Sequence, residues 1–98
     1  MSIQLTRSGK NTLYVENPVL NAAGVLGYAD EYRLLIALGK LGASVTNPVT
    51  LMPRTPANGT RVVPLDAGLL LHTGLPNAGI RRVIETYREA WARMPIPV

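Results

Sequence analysis

Cysteine is absent from the 98 residues, which removes disulfides, thiolate metal sites and cysteine nucleophiles together. Histidine occurs once, as His72, and no cluster of carboxylates joins it to complete a zinc or iron site, so no metal is expected. Hydrophobic runs are short. None approaches the ~20 residues of a membrane span, and the first residues lack the apolar stretch of a signal peptide. No membrane association is expected, and the expected location is the cytoplasm. Acidic residues are scarce, 6 against 10 Lys and Arg, for a net charge of +4. A basic chain can bind nucleic acid or anionic lipid. No zinc spacing and no aromatics alternating with basic residues accompany the charge here. Arg81, Arg82, Arg88 and Arg93 therefore read as a solvated helix face, and a small basic nucleic-acid-binding module stays as an alternative.

What is present suits one domain with a modest core: 47% of residues are hydrophobic and 16% charged, too apolar for disorder. Ile3 to Val15 reads as a hairpin, with Ser8-Gly9-Lys10-Asn11 as its turn. Pro18 to Ala22 reads as a short buried strand ending at Gly24. Asp30 is placed to cap a helix of ~11 residues whose apolar positions include Tyr32, Leu35 and Ile36, and Gly42 is placed to end it in a left-handed conformation. Ala43 to Asn47 resumes strand character, so strand, helix and strand predict a parallel βαβ unit.

Pro48 to Gly68 is rich in proline and small polar residues, a long connection of the kind that often carries function. Arg61-Val62-Val63 and Leu69-Leu70-Leu71 read as short strands within and after it. Asn77 is placed to cap a second helix, along which Ile80, Val83, Ile84, Tyr87 and Trp91 recur at helical spacing before Pro95. Ile96-Pro97-Val98 reads as the start of a further strand. This order is how a (β/α)8 barrel begins, although a whole barrel takes about 250 residues.

Three short runs could carry chemistry, each after a strand-like segment. Ala22-Ala23-Gly24 has little side-chain bulk, so a planar ring could approach its backbone; it also suits a tight strand-to-loop turn. Thr46-Asn47-Pro48 offers hydrogen-bonding side chains, with both a donor and an acceptor on Asn47; Asn-Pro is equally an ordinary loop opening. Gly74-Leu75-Pro76-Asn77 exposes amides just before a helix, where an anionic group could sit, or serves as a helix-entry turn. His72 is a proton donor or anion contact on one reading and a partly exposed polar residue on the other.

Taken jointly, with Gly27-Tyr28, Thr50, Pro53-Arg54 and Gly79 at their spacings, these runs resemble the N-terminal portion of the soluble, FMN-dependent class of dihydroorotate dehydrogenases. The likeness covers nearly the whole chain. It implies an α/β fold, an incomplete (β/α)8 TIM barrel with two βα units preceded by an N-terminal β-hairpin, residues 1–98 being a single N-terminal fragment. It implies FMN contacts from Ala22, Ala23, Gly24, Thr46, Asn47 and Pro48. It implies contacts to a small pyrimidine-like substrate from Asn47, Leu71, His72, Thr73, Gly74, Leu75 and Asn77. The implied reaction removes a proton and a hydride from adjacent carbons, the hydride passing to flavin. The family's proton acceptor, a cysteine or serine on a later loop, has no match here, so no catalytic residue is expected and the isolated chain is expected to be inactive.

The departures fall where substrate is read. Asn47 stands at the family's lysine, Pro48 at the next small residue, Leu71 at the substrate-binding asparagine, and His72 and Thr73 at a usual Ser and Met. A neutral amide for a cation removes the charge that would steady an anionic substrate. The alternative to part of an enzyme is a non-catalytic subunit that completes a split barrel with a partner chain, and exposed apolar edges favour either self-association or pairing with such a partner chain.

Overall fold

The computed structural model describes residues 2–98. They form two compact units, one running through Asn47 and joined by Tyr87–Val98, the other Pro48–Thr86.

The first unit opens with the expected hairpin. β1 (Ile3–Gln4) pairs antiparallel with β2 (Tyr14–Val15) in the register Ile3↔Val15 and Gln4↔Tyr14. The Leu5 amide adds a bond to the Leu13 carbonyl at 2.9 Å. Thr12 closes the turn, its Oγ1 accepting from the Gly9 amide at 3.0 Å and donating to the Gly9 carbonyl at 2.9 Å. The alternation places Val15 inward, only 1% exposed, where it joins Leu26, Ala29, Leu38 and Ala43 in the core.

The expected parallel pairing of Pro18–Ala22 with Ala43–Asn47 is present as a single bridge, Leu20↔Ala43. It stops there because a side chain takes over. Asn21 Nδ2 donates to the Val45 carbonyl at 2.7 Å, and Asn21 Oδ1 accepts from the Val45 amide at 2.9 Å. The carboxamide thus occupies the groups a neighbouring strand would use. Pro97 lies beside the same segment, its carbonyl accepting from the Ser44 amide at 2.8 Å.

The helix expected from Asp30 to Leu41 is instead a succession of turns, such as Arg33 N–H to Asp30 O and Leu35 N–H to Tyr32 O, ending in a 3-10 turn at Leu38–Lys40. Leu34 and Leu35 are 88% and 81% exposed. Short helices owe most of their stability to packing of an apolar face, and here Leu38 packs while Leu34 and Leu35 meet no surface among the described residues. Asp30 does not cap; it pairs with Arg33 at 3.4 Å on the surface. The Glu31 carboxylate instead takes the Tyr28 and Ala29 amides at 2.8 and 2.6 Å. Gly42 is not left-handed. It is small because the chain passes against Asn17 and Val15 there.

In the second unit, β3 (Val62–Leu65) and β4 (Gly68–Leu71) form an antiparallel hairpin around Asp66-Ala67. This is a true ladder where the sequence suggested only two short strands. α1 (Ile80–Arg93), whose residues from Tyr87 onward belong to the first unit, matches the expected second helix. Asn77 sits two residues too early to be its cap: the Gly79 carbonyl accepts the Val83 amide at 3.1 Å, and Asn77 Oδ1 accepts from the Gly79 amide at 2.9 Å, an Asx turn leading into the helix. Val83 is the buried residue of its apolar face. Among the described residues no helix is long and apolar enough to cross a membrane.

Candidate functional site

In the first unit the first two small-residue runs lie side by side. Asn21 grips Val45 as described, and the Asn47 amide donates to the Gly27 carbonyl at 2.8 Å. Between these anchors Ala22, Ala23 and Gly24 form an exposed turn. Gly24 has φ +84°, and a Cβ built on it would meet nothing within 4 Å, so the approach to this backbone is open. The amides of Ala22, Ala23 and Gly24 bond to no other described residue. Thr46 Oγ1 donates to the Asn47 carbonyl at 3.1 Å. Asn47 Oδ1 is buried and, among the described residues, has no hydrogen-bond partner. A buried acceptor without a donor costs about 1–3 kcal/mol, which makes Asn47 Oδ1 a candidate contact for a bound group or water.

An aromatic stack lies in the same unit. Tyr28 and Tyr87 stack with centroids 5.0 Å apart, Tyr87 and Trp91 follow at 6.3 Å, and the Trp91 indole donates to the Tyr28 carbonyl at 2.6 Å. Burial, then the neighbouring Tyr87 and the Glu31 carboxylate, raise the Tyr28 phenol above its ordinary value of 10.0. The sign follows directly. Above about pH 10 the unfolded chain loses this proton first, so stability present in full below that pH falls as pH rises toward the folded-state value. Tyr28→Phe is expected to flatten that alkaline slope in urea unfolding monitored from pH 9 to 11; an unchanged slope contradicts the assignment.

In the second unit Asn77 organises the third run. Its Oδ1 also accepts from the Thr50 amide at 3.2 Å, and its Nδ2 donates to Thr50 Oγ1 at 3.0 Å and the Leu75 carbonyl at 2.9 Å. Backbone bonds tie Arg54 to Asn77 in both directions, at 2.9 and 3.1 Å. Arg54 Nε donates to the Gly74 carbonyl at 3.1 Å. Gly74 has φ +78°, and a Cβ there would fall 2.6 Å from the Ala57 amide nitrogen. Leu75 is the one non-glycine residue with a positive φ, 54°, among the described residues. Such a conformation costs of order 1–3 kcal/mol and persists only where its surroundings enforce it. Pro48, His72 and Thr73 are exposed, and Leu71 is 60% exposed on the hairpin.

The structure thus joins Ala22, Ala23 and Gly24 to Thr46 and Asn47 in one unit, and Gly74, Leu75 and Asn77 to Thr50 and Arg54 in the other. Sequence reasoning missed Asn21 as a clamp, although a polar residue ending an apolar strand was the available signal. It also missed the Trp91–Tyr28 bond, for which a separation of 63 residues left no local sign.

Residues 8–98 match the family described as Dihydroorotate dehydrogenase. The chain is 40% identical over 84 residues to the dihydroorotate dehydrogenase B (NAD(+)) catalytic subunit of Endomicrobium trichonymphae, covering 86% of this chain and 28% of that protein. It is 36% identical over 86 residues to the same subunit of Desulforudis audaxviator, covering 88% and 28%. For Pelobacter propionicus the identity is 40% over 86 residues, covering 87% and 28%. The chain therefore spans 28% of the length of these curated relatives. On this match, across nearly all of its residues, the chain belongs to the dihydroorotate dehydrogenase family.

Proposed function

We propose that this chain supplies one wall of the FMN site, and part of the substrate loop, of an oxidoreductase of the dihydroorotate dehydrogenase type built on a (β/α)8 barrel. The observation that carries the reading is the open turn of Ala22, Ala23 and Gly24 held beside Asn47 with its unpartnered Oδ1. These residues suit a flat ring that carries both N–H and C=O groups. With FMN bound, the free amides of the turn would serve as donors to it and Asn47 Oδ1 as an acceptor. When bound, the flavin supplies the acceptor for a hydride from a dihydropyrimidine-like CH–CH bond.

Gly74, Leu75 and Asn77 hold the substrate loop in its entry turn ahead of α1. Neutral Asn47 and apolar Leu71 stand where the family resemblance has a cation and an amide, so binding relies less on an anionic group of the substrate.

Fluorescence titration of FMN with the purified chain tests the reading. Ala23→Trp, at an exposed position, fills the approach to the turn and is expected to weaken binding at least about tenfold, roughly 1.4 kcal/mol. Asn47→Leu is expected to raise stability to urea by about 1 kcal/mol by removing the orphaned acceptor, while also weakening FMN binding. Equal affinity in wild type and Ala23→Trp, or no binding by the wild type, contradicts the proposal.

A second reading draws support from the exposure of Leu34, Leu35 and Leu51, at 88%, 81% and 80%. Here the chain completes a barrel together with a separately encoded chain, and the same wall is its contribution. Copurification of a flavin-carrying partner favours this reading over a self-sufficient one.

A further inference from the structure

Two consecutive peptide groups anchor Asn47, and all four of their polar ends are paired. In a trans peptide the C=O of one residue and the N–H of the next share a rigid plane and point in opposite directions. Gly27 and Tyr28 share the first plane. Its oxygen accepts from the Asn47 amide at 2.8 Å, and its N–H donates to Glu31 Oε1 at 2.8 Å. Tyr28 and Ala29 share the second. Its oxygen accepts from the Trp91 indole at 2.6 Å, and its N–H donates to Glu31 Oε2 at 2.6 Å. One carboxylate therefore links Asn47 at one end to Trp91 at the other, with every member in the first unit.

Local chemistry favours this arrangement at each step. Gly27 has φ +77°, and a Cβ there would stand 2.8 Å from Glu31 Cδ. The carboxylate thus folds back over a residue that has to be glycine. A carboxylate on a peptide N–H makes a strong, charge-assisted bond, and it polarises the plane so that the C=O at the far side accepts more strongly. Ala29 is buried, which keeps water from competing there. The stacking of Tyr87 on Tyr28 and Trp91 on Tyr87 holds the indole in line with the Tyr28 carbonyl. Asn47 has little else to fix it. Its own carbonyl bonds only to the neighbouring Thr46 hydroxyl, and the Gly27 carbonyl is its one distant partner among the described residues.

We propose that Glu31 and Trp91 are positioning residues: acting through these two peptide planes, they fix the Asn47 backbone and with it the buried Oδ1 that the FMN reading, on which this inference rests, assigns to the ring. Neither residue belongs to the wall itself. Glu31 supplies the charge that strengthens both carbonyls, and Trp91 supplies the donor that holds the second plane from the α1 side.

NMR of the 15N-labelled whole chain tests this. Trp91 is the sole tryptophan, so its indole N–H gives one unambiguous resonance, and a proton in a stronger hydrogen bond resonates further downfield. Glu31→Gln keeps the shape but removes the charge and one of the two acceptors. It is expected to move the Trp91 indole and Asn47 amide resonances upfield together and to speed exchange of the Asn47 amide. Glu16→Gln removes the same charge from an exposed position of the same unit and should leave both resonances in place. Trp91→Phe keeps a ring for the stack but donates nothing, and it should move the Asn47 amide resonance. Glu31→Gln and Trp91→Phe are each expected to weaken FMN binding by about threefold or more, the scale of one modest hydrogen bond, with Glu16→Gln binding as the wild type does. Resonances unmoved by Glu31→Gln, or moved as far by Glu16→Gln, overturn the proposal, as does wild-type FMN affinity in both folded variants. Should Glu31→Gln fail to fold, an unmoved Asn47 amide in Trp91→Phe overturns it alone. A wild type that binds no FMN contradicts the proposed function, while the resonances, which involve no flavin, decide separately whether Glu31 and Trp91 hold Asn47.

Discussion

Gly42→Ala is expected to destabilise the first unit by about 3 kcal/mol, at the upper end for forcing atoms into a packed site. An added Cβ would overlap the Asn17 carbonyl oxygen, and it would stand 3.0 Å from the Asn17 carbonyl carbon and 3.2 Å from Val15 Cβ. Neither neighbour can yield readily. The Asn17 carbonyl is backbone leading into Pro18, whose φ is fixed, and Val15 is the most deeply buried side chain of the unit. The Gly42 amide also donates to the Val19 carbonyl at 2.8 Å, which pins the segment from the other side. Urea unfolding measures the loss. Gly68→Ala serves as the control, because a Cβ at Gly68 meets nothing within 4 Å, and its effect should stay below about 1 kcal/mol. Similar effects from the two substitutions contradict the close approach.

Asn77→Ala should cost the second unit a comparable amount, about 3 kcal/mol, because one side chain serves Thr50, Leu75 and Gly79 at once. Its removal leaves the part-buried amides of Thr50 and Gly79 without acceptors, and an orphaned buried donor costs more than an average hydrogen bond gains. Asn77→Asp keeps the acceptor and loses the two donations, so its effect should fall between alanine and wild type. Hydrogen exchange reads the network directly: the Thr50 and Gly79 amides should lose protection in Asn77→Ala and retain much of it in Asn77→Asp. Unchanged protection in the alanine variant contradicts the assigned role.

The elements legible in the sequence were those that carry their own stabilising partners. Alternation in Ile3–Val15 and helical spacing from Ile80 to Trp91 each specified a segment that forms. The segment from Asp30 to Leu41 had equally good spacing and forms only turns. Periodicity records which face is apolar, and Leu34 and Leu35 meet no surface among the described residues. Caps were misplaced for a related reason. Asp30 and Glu31 are adjacent acids, and only the longer one reaches back to the amides of Tyr28 and Ala29. Within the candidate site, the small residues at 22–24 announced an open turn. The Asn21 clamp on Val45 and the orphaned oxygen of Asn47 did not appear, because each depends on a partner, or the lack of one, supplied by distant chain.

Backbone amide NMR of the 15N-labelled chain titrated with FMN tests the central claim most directly. The account predicts shift changes concentrated at Ala22, Ala23, Gly24, Thr46 and Asn47, together with the Asn47 side-chain amide. Changes confined to β3, β4 or α1, or none at saturating FMN, would contradict it.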